Sequence, residues 1–432
     1  MYHFIGIAGS GMSSLALIMY NLGFKVKGSD IGKDFFTTEE LKKYVKITIF
    51  DEKNITKDLI IVQGNAFNDD NVEVKKAKQL GLKIYSYQEM VAKLTKMFET
   101  ISISGCHGKT TTTSMLSHIL KNICGTNYLI GDGTGYASKE NKTFVLEACE
   151  YKRHFLAYKQ KYTIITNIDL DHIDYYKDIE DVIDAYRSFA SNTEKWIITY
   201  GDDPYTRELK INKDILYYGL KENNDVVAKK IKYDSNGTTF EVYINKEYYN
   251  TFFIRFTGEH MVLNSLAVIS LCYLEKLNKD KVKHELGTFL GAKRRFSEEK
   301  INNNIIVDDY AHHPKEIEVT IKAAKLKYPN KKIITIFQPH TFSRTKKFIN
   351  EFIKVLNESD ITYVLDIHPS REKLENFPNI NSKIIISKLK KGFYISKNNA
   401  DELLKYNNVV LLFLSPNSLK GLIDDYKNKI KS

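Results

Sequence analysis

Cysteine is scarce in this 432-residue chain, and long apolar runs are absent. The four cysteines are never in CxxC spacing, which excludes a disulfide framework and a zinc knuckle as the basis of the fold. No apolar run approaches the roughly 20 residues that a membrane span needs. The first residues lack a basic segment, and glycines break their apolar stretch, so no secretory signal is indicated. We therefore expect a cytoplasmic protein without membrane insertion.

Runs of like charge are absent as well. The formal charge is +11, from 64 basic and 53 acidic side chains, but the two signs are interleaved along the chain. A basic balance of this kind suits small anionic ligands such as nucleotides. We expect no nucleic-acid partner, and the sequence leaves a monomer and a homodimer equally open.

What the chain does have is a regular alternation of short apolar runs and helical patterns, which predicts parallel, doubly wound sheets. The segment 226–256 differs, because its alternating strands are separated by turns at Asn236-Gly237 and Asn245-Lys246; it predicts a small antiparallel insert. Strands are predicted at residues 2–7, 25–28, 59–63, 100–104, 144–146, 163–166, 196–199, 305–308, 333–337, 362–366 and 409–414.

These patterns predict an α/β protein of three domains, since domains usually have roughly 100–200 residues. The first, residues 1–97, is a Rossmann-like parallel sheet. The second, residues 98–293, is a P-loop-type ATPase α/β domain that carries the small antiparallel insert. The third, residues 294–432, is again a Rossmann-like α/β domain.

The segment Ser104-Gly-Cys-His-Gly-Lys-Thr-Thr111 lies between a predicted strand and a predicted helix that starts near Thr111. A glycine turn there aims backbone N–H groups and the positive end of the helix at one point, which suits phosphate. Lys109 adds a cation for the β and γ phosphates, and the Thr110 hydroxyl can ligate Mg²⁺. Ile103 occupies the place of the first Walker glycine, so the loop is short. The expected nucleotide contacts are Gly105, Cys106, His107, Gly108, Lys109, Thr110 and Thr111.

Two further segments follow predicted strands, Glu147-Ala-Cys-Glu150 and Asn167-Ile-Asp-Leu-Asp-His172. The carboxyl ends of parallel strands line the ligand crevice of an open sheet, so both segments fall on the edge that carries the phosphate loop. Carboxylates there suit a hard cation. Asp171-His172 alone could be a helix cap and a surface histidine, but its place beside Glu150 favours a magnesium site.

Near the N-terminus, Gly6-Ile-Ala-Gly-Ser-Gly-Met-Ser-Ser14 is similar to the dinucleotide-binding fingerprint. Asp30 ends the second predicted strand, where a ribose contact is expected. Ser14 replaces the third glycine of the fingerprint, so the motif is weak support for NAD. A diphosphate at the start of the helix is the better-supported expectation, and a UDP-sugar would supply one.

The C-terminal part presents two strand-to-helix segments, Asp308–Glu316 and Phe337–Thr345. Turn and cap residues explain part of them, but three histidines and an arginine exceed what capping needs, so we favour a function. Such donors could hold a carboxylate or phosphate. Arg294 and Arg295, at the predicted domain junction, could swing toward phosphate on closure. The candidates at the strand ends are His312, His313, His340 and Arg344.

Taken together and in order, these motifs resemble the bacterial Mur ligases, and eight segments between residues 3 and 345 carry the resemblance. They are His3-Phe-Ile-Gly-Ile-Ala-Gly-Ser-Gly-Met-Ser13, Gly105-Cys-His-Gly-Lys-Thr-Thr111, Glu147-Ala-Cys-Glu-Tyr-Lys-Arg-His-Phe155, Thr166-Asn-Ile-Asp-Leu-Asp-His172, Gly258-Glu-His-Met-Val-Leu-Asn264, Lys293-Arg-Arg-Phe296, Asp308-Asp-Tyr-Ala-His-His-Pro314 and Phe337-Gln-Pro-His-Thr-Phe-Ser-Arg-Thr345.

The resemblance implies a peptidoglycan-precursor ligase that uses ATP and Mg²⁺ to join L-alanine to UDP-N-acetylmuramate through an acyl phosphate. The implied metal ligands are Thr110, Glu150 and His172, and the implied adenine-side residues are His260 and Asn264. The implied catalytic residues are Lys109, His172, Arg295, His313 and Arg344. The implied substrate contacts are Gly9, Ser10, Gly11, Met12, Ser29, Asp30 and Asn65 for the UDP moiety, with His312, His313 and Arg344 for alanine.

The chain departs from the family pattern at a few positions. Cys106 stands where threonine or alanine is usual, with little effect expected, and Met261 stands where asparagine is common. Leu414-Ser-Pro-Asn-Ser418 replaces a Gly-Ala-Gly-Asp type of turn.

Three other functions stay open from the sequence. One is a sister ligase that adds a different amino acid or a peptide. Another is a degenerate homologue that binds a UDP-sugar without joining anything. The third is an NAD-dependent dehydrogenase, which would leave Gly108-Lys109-Thr110 unexplained.

Overall fold

A computed structural model describes residues 1–32, 36–172, 175–370 and 372–431. Internal contacts divide the chain into two compact units. The first comprises residues 1–230, 240–252 and 263–289, and the second comprises residues 231–239, 253–262 and 290–432. The predicted domain boundaries near residues 97 and 293 stay predictions.

The N-terminal sheet has five parallel strands in the order β3-β2-β1-β4-β5. The strand order reverses at β1, which is where an open α/β sheet leaves a crevice for a ligand. Its elements are β1 (Tyr2–Ile5), α1 (Ser10–Asn21), β2 (Val26–Asp30), β3 (Ile47–Ile49), β4 (Ile60–Gln63), α2 (Val72–Gln79), β5 (Ile84–Ser86) and α3 (Tyr87–Thr95).

The central sheet has ten strands in the order β15-β14-β13-β12-β11-β10-β6-β9-β7-β8. Strands β13 to β7 in that order pair in parallel, and β8 is antiparallel to β7. The elements are β6 (Glu99–Ser104), α4 (Lys109–Ile123), β7 (Asn127–Leu129), β8 (Gly135–Tyr136), β9 (Thr143–Glu147), β10 (Gln160–Ile165), α5 (Ile179–Ser191), β11 (Thr193–Tyr200), α6 (Pro204–Arg207), β12 (Asp214–Gly219), β13 (Val226–Asp234), β14 (Gly237–Ile244), β15 (Glu247–Ile254), α7 (Glu259–Leu274) and α8 (Lys279–Thr288).

Strands β13, β14 and β15 form the small insert that the sequence predicts. Two residues separate each consecutive pair, and the strands are neighbours in the sheet. Only antiparallel strands can be joined by so short a connection, because a parallel crossover needs a dozen residues or more. The insert therefore extends one edge of the central sheet as hairpins.

The C-terminal sheet has six strands in the order β16-β17-β21-β18-β19-β20, all parallel except β16. Its elements are β16 (Ser297–Ile301), β17 (Asn304–Asp309), α9 (Pro314–Lys327), β18 (Lys332–Phe337), α10 (Phe342–Lys347), α11 (Ile349–Leu356), β19 (Ile361–Val364), α12 (Ser382–Ile386), β20 (Gly392–Tyr394), α13 (Asp401–Leu404), β21 (Val409–Leu414) and α14 (Lys420–Lys431).

Strand β21 shows why the strands of the C-terminal sheet have continuous apolar sequences. All six of its residues are buried, and they alternate between two hydrophobic cores, one on each face of the sheet. Successive side chains of a strand point to opposite faces, so a strand covered on both sides must be apolar throughout. The predicted fold class, α/β with three sheets, is confirmed.

The main differences from the predicted elements lie at turns. The first strand ends at Ile5, two residues earlier than predicted, because Gly6 adopts φ +80° and starts the turn. Helix α4 begins at Lys109, two residues before the predicted start. The strand predicted at 362–366 ends at Val364.

Candidate functional site

The loop between β6 and α4 has four residues, and its two glycines are required by geometry. Gly105 has φ +140°, and a Cβ there would lie 2.0 Å from the Thr166 hydroxyl oxygen. Gly108 caps α4 at φ +84°, and a Cβ there would lie 2.7 Å from the side-chain oxygen of Asn264. A side chain at either position would displace its neighbour and strain the backbone. The short spacing of the sequence motif therefore corresponds to a loop packed tightly against the strand end beside it.

Asn167, two residues beyond the end of β10, fixes the middle of this loop. Its side-chain oxygen accepts a 2.9 Å hydrogen bond from the His107 N–H, and its amide nitrogen donates a 2.8 Å bond to the His107 carbonyl. The Thr166 hydroxyl donates to the same carbonyl at 2.5 Å. Asn167 is not among the site residues predicted from the sequence, although its position near a strand end was a signal that could have identified it.

The Cys106 side chain ties the loop to the next part of that segment. Its thiol donates to the Asp169 carbonyl at 3.0 Å and accepts from the Asp169 N–H at 3.1 Å. Burial raises the pKa of the Cys106 thiol well above its usual range, so the group stays protonated. The Cys106 side chain thus holds two loops together, and the contact of its backbone with a nucleotide stays a prediction.

Lys109 forms a partly buried ion pair at the first turn of α4. Its ammonium group lies 2.9 Å from Oε1 of Glu150 and also donates to the Gly105 and Cys106 carbonyls. Burial lowers the pKa of Lys109, but the Glu150 charge more than offsets it, and the net pKa is raised. Burial raises the pKa of Glu150, and the charges of Lys109 and His172 lower it below its usual range. Both groups are therefore charged at neutral pH.

His172 is the second cationic neighbour of the same carboxylate oxygen, at 3.5 Å from Glu150 Oε1. Burial lowers the pKa of this histidine, yet the hydrogen bond to Glu150 and the charge of Asp171 raise it above the usual value. Its ring packs on Tyr151 at 4.8 Å. The other carboxylate oxygen, Glu150 Oε2, is buried and has no hydrogen-bond partner among the described residues.

Thr110 points to a second carboxylate, Glu147, at the end of β9. The Thr110 hydroxyl donates to Glu147 Oε1 at 3.0 Å, and the Gly131 N–H donates to Oε2 at 2.7 Å. Two residues further on, Gly133 has φ +86°, and a Cβ there would lie 2.8 Å from the Ser10 hydroxyl oxygen. The turn 131–133 therefore connects the phosphate-loop side of the unit with the start of α1.

The N-terminal glycine turn presents backbone groups of α1. Gly9 and Ser10 are exposed, Gly9 provides no side-chain cap, and the Met12 side chain is buried in the core. Gly11 packs near Tyr87, with 3.0 Å between a Cβ built there and the Tyr87 hydroxyl. At these positions backbone N–H groups can meet a diphosphate. Asn65 is exposed after β4, next to β1.

Two of the predicted substrate contacts, Ser29 and Asp30, form hydrogen bonds within the protein. Both Asp30 carboxylate oxygens accept backbone hydrogen bonds at 2.8 Å, one from Ala8 and one from Ile31, so Asp30 shapes the glycine turn. Ser29 is fully buried, and its hydroxyl donates to Glu73, which also contacts His3 at 3.0 Å. The contact of Ser29 with the UDP moiety stays a prediction, and in the structure the Ser29 hydroxyl is directed to Glu73.

The two adenine-side candidates lie one turn apart on α7. Asn264 is buried, belongs to the first unit and lies against Gly108 of the phosphate loop. His260 belongs to the second unit, where its ring packs close to Gly258, and burial lowers its pKa to about 4. A neutral imidazole there can accept or donate a hydrogen bond without carrying charge.

In the second unit, His313 caps α9. Its ring nitrogen accepts from the Lys315 N–H, Glu316 completes the capping box, and the ring packs on Phe348 at 4.8 Å. The residue is 7% exposed. The contact of His313 with the amino acid stays a prediction; in the structure its side chain caps α9 and packs on Phe348.

Three other histidines line the ends of β17, β18 and β19. The rings of His312 and His340 are 6.0 Å apart, and His340 stacks in parallel on His368 at 5.6 Å. Burial, and then the positive charges of His312, Arg344 and His368, lower the pKa of His340 to about 4. His368 was absent from the predicted set, and the parallel strand order is what brings it beside His340.

The altered turn after β21 holds Arg294. The Arg294 guanidinium donates to the Ser415, Pro416 and Asn417 carbonyls at 2.6, 3.1 and 2.8 Å and pairs with Asp308 at 3.1 Å. This turn therefore orients the start of the C-terminal sheet. Arg295 instead lies over the Tyr310 ring, with its guanidinium carbon 4.9 Å from the ring centre.

Comparison with known proteins agrees with this geometry. Three family models match the chain: the Mur ligase family catalytic domain at residues 1–99, the Mur ligase middle domain at residues 103–272 and the Mur ligase glutamate ligase domain at residues 294–408. The chain belongs to the Mur ligase family.

Solved structures of Mur ligases resemble this one over nearly its full length. UDP-N-acetylmuramate-alanine ligase MurC from Thermotoga maritima is 26% identical, covers 99% of both chains and has a TM-score of 0.82. Murein peptide ligase Mpl from Psychrobacter arcticus is 22% identical, covers 99% of this chain and 98% of its own, and has a TM-score of 0.73. MurF from Thermotoga maritima, solved with ADP, is 18% identical, covers 89% and 97%, and has a TM-score of 0.67. The second and third similarities show the fold.

The residues of this Mur ligase fit a magnesium ion beside the phosphate loop. Glu150 offers an unpartnered buried oxygen, and the Thr110 hydroxyl already meets a carboxylate. Within the described ranges, no group of three His, Cys, Asp or Glu side chains is arranged to hold a metal alone. Mg²⁺ at nucleotide sites is commonly held by one or two protein ligands together with phosphate and water. Glu147 belongs to the sequence motif 147–150, but it is not among the metal ligands predicted from the sequence.

None of the helices in the described part of the chain combines the length and apolarity that crossing a bilayer requires. Its cellular location stays a prediction.

Proposed function

We propose that this Mur ligase joins L-alanine to the carboxylate of UDP-N-acetylmuramate at the expense of ATP. The observation that carries the proposal is the turn 131–133, which connects the Thr110–Glu147 pair with Ser10 at the start of α1. An acyl phosphate forms only where a carboxylate and a γ-phosphate meet, and this turn links the phosphate loop to the candidate UDP-sugar site. The 26% identity to an alanine ligase over the full length supports L-alanine as the amino acid.

In the first step the muramyl carboxylate oxygen attacks the γ-phosphorus of ATP, and ADP leaves. The two reactants repel each other, so the site must provide positive charge that is already in place. Lys109 is partly buried, protonated and held by Glu150, which satisfies that requirement. The N–H groups of 105–111 hold the phosphates, and Gly9, Ser10, Gly11 and Met12 hold the UDP diphosphate through their backbone.

Magnesium, when bound, would neutralise the phosphate oxygens that gain charge during transfer. The residues that would hold it are Thr110, Glu147 and Glu150. His172 has a different part, because a protonated imidazole beside Glu150 adds a second positive charge to the same carboxylate. We therefore propose that His172 orients Glu150 and that its contact to metal is indirect.

In the second step the alanine amine attacks the acyl carbon, and inorganic phosphate leaves from the tetrahedral intermediate. The amine must lose its proton on the way, and its carboxylate needs a cationic partner. Arg344 and His312, beside His340, are the candidates for the alanine carboxylate. Arg295 is the candidate for contact with the transferred phosphate. The domains that we propose for this ligase are residues 1–97, 98–293 and 294–432.

A second candidate is addition of a peptide in place of alanine. The specific observation is the turn Leu414–Ser418, which departs from the family pattern and clasps Arg294 at the entrance to the C-terminal sheet. The structural similarity to a murein peptide ligase covers the full length of the chain and supports this candidate at the level of the fold.

One assay separates the candidates: phosphate release with ATP, Mg²⁺ and UDP-N-acetylmuramate, to which each amino acid or the tripeptide L-alanyl-γ-D-glutamyl-diaminopimelate is added in turn. We expect stimulation by L-alanine and formation of UDP-N-acetylmuramoyl-L-alanine by mass spectrometry. Stimulation by the tripeptide alone would replace the alanine proposal with the peptide one. A chain that binds the UDP-sugar but releases no phosphate with any acceptor would be a degenerate ligase.

A further inference from the structure

A charged cleft lies at the amino ends of the parallel strands of the central sheet, away from the phosphate loop. Its volume is about 630 Å³, and it is confined to the first compact unit. Its floor is formed by the starts of β6 and β10 and the approach to β9 and β11.

The lining of this cleft is strongly basic. Six of the lining residues are lysines and two are glutamates, which leaves a formal charge of +4. Lys161 pairs with Glu99 at 2.6 Å, and Lys159 pairs with Glu194 at 2.9 Å. The other four lysines, Lys96, Lys139, Lys142 and Lys195, have no ion pair within the part of the chain that the structure describes.

The lysines of the cleft lower the pKa of Glu99, one of the two acids in its lining. The hydrogen bond from Lys161 lowers the pKa of Glu99, and the charges of Lys161, Lys195 and Lys142 lower it further. Positive groups converge on Glu99 from several strands and loops. A concave wall concentrates such a field more than a flat surface does.

The cleft is separate from the proposed catalytic site. Strand β6 runs from Glu99 in the cleft to Ser104 at the phosphate loop, and β11 runs from Thr193 to Tyr200. Five residue steps of strand span about 16 Å. A ligand of three phosphates in the cleft would therefore not share the phosphate-loop contacts.

We propose that this cleft binds a compact polyphosphate anion, such as the phosphate chain of a nucleotide or inorganic tripolyphosphate. A volume of this size is in the range of small-molecule sites, and its lysines surround a concavity. Few apolar side chains line it, so it offers little to a lipid tail or to stacked bases. A membrane surface or a nucleic acid would instead match an extended basic face.

The test is calorimetric titration of the full-length protein with sodium tripolyphosphate. The phosphate loop would bind the same probe, so every titration uses the Lys109→Ala chain. The double variant Lys142→Gln and Lys195→Gln removes two unpaired lysines of the cleft, and we expect at least tenfold weaker binding. The matched control is Lys53→Gln and Lys57→Gln, which removes two exposed lysines of the N-terminal segment and lowers the net charge equally; we expect less than a twofold change.

Salt provides an independent readout. Raising the salt concentration should weaken the cleft-dependent binding, because the contacts are ionic. Fluorescence offers a second way to follow binding. The chain's only tryptophan, Trp196, adjoins Lys195 and should report binding by a change in fluorescence. An equal loss of binding in the control double variant would overturn the proposal, since general charge would then explain it. Lysine-dependent binding of anionic phospholipid vesicles or a single-stranded oligonucleotide, without binding of tripolyphosphate, would overturn it as well.

Discussion

The phosphate loop of the first unit and the histidine-rich strand ends of the second illustrate two kinds of sequence motif. In the loop, the features that matter are backbone ones: two glycines with positive φ, a strand end and a helix start. At the strand ends the features are side chains, and some of those side chains have other uses. His313 caps a helix there, and Arg294 is held by three carbonyls and a carboxylate.

The comparison shows that the role of a motif can be predicted from sequence more reliably when it depends on backbone geometry than when it depends on side-chain chemistry. A glycine at Gly105 or Gly108 has few reasons to be there besides the turn it permits. A histidine can cap, stack or bind, and only its neighbours decide which. Experiments that disturb the loop should therefore have large effects, and experiments at the strand ends should separate the alternatives.

The largest effect is expected from Lys109→Ala. The substitution removes the cation that would neutralise the transferring phosphate, so we expect phosphate release to fall by about 10³-fold. Binding of UDP-N-acetylmuramate should persist, because its proposed contacts lie at the start of α1. Phosphate release and calorimetric binding of the UDP-sugar measure the two effects separately.

The control for Lys109→Ala addresses the charge that it leaves behind. Glu150 is 1% exposed and would lose its nearest ion-pair partner, which costs stability. Thermal melting of the variant, and of Lys109→Gln, separates loss of fold from loss of chemistry. Lys121→Ala on the exposed end of the same helix should leave activity within about twofold. Equal loss of UDP-sugar binding and turnover in a folded Lys109 variant would make the loop a structural element.

The fold and the phosphate loop were predictable from the sequence because both depend on local patterns. Apolar alternation gave the three sheets and the insert, and Gly108-Lys109-Thr110 after a strand gave the loop. The partners of the loop were not predictable, since Asn167 and Glu147 come into contact with it only through the pairing of β10 and β9 with β6. The arrangement of the histidines at the strand ends of the second unit was not predictable for the same reason, as the His340–His368 stack depends on β18 and β19 being neighbours.

Gly105→Ala tests whether the short loop is fixed by its packing. A Cβ at Gly105 would overlap the Thr166 hydroxyl, and φ +140° disfavours any side chain. We expect a loss of about 2 kcal/mol or more in the free energy of unfolding and a loss of phosphate release. Chemical denaturation measures the first quantity.

The matched control is Gly421→Ala, at the start of α14, where a Cβ would meet nothing within 4 Å. That change should be neutral or stabilise by up to about 1 kcal/mol, because alanine favours helix. A Gly105→Ala protein as stable and active as the Gly421→Ala protein would show that the loop tolerates a wider conformation than this packing allows.

The pH dependence of stability tests the strand-end cluster. The pKa of His340 is lowered to about 4, so the folded protein binds fewer protons than the unfolded chain between pH 4 and 6.5. The stability from this group is fully present above pH 6.5 and is lost as the pH falls toward 4. Screening by solvent should limit the loss to about 1–2 kcal/mol.

Other histidines with lowered pKa values, including His260, contribute in the same direction, so the informative quantity is a difference. The free energy of unfolding of the wild-type chain and of His340→Gln should be compared at pH 7.5, 6 and 5. We expect the wild type to lose more stability than the variant on acidification. Parallel curves for the two proteins would show that His340 titrates normally beside His312, Arg344 and His368.

The smallest effect is expected from substitutions of His313. They distinguish a role of this side chain in capping α9 from a role in orienting alanine. As the cap of α9, His313 can be replaced by asparagine, which caps well, whereas alanine should cost about 1 kcal/mol of stability. A capping role predicts that His313→Asn keeps both stability and L-alanine-stimulated phosphate release within about threefold. A role in orienting alanine predicts a different pattern: normal stability, with a raised KM for L-alanine in the asparagine variant. Because the two roles divide stability from KM, one pair of substitutions is enough to choose between them.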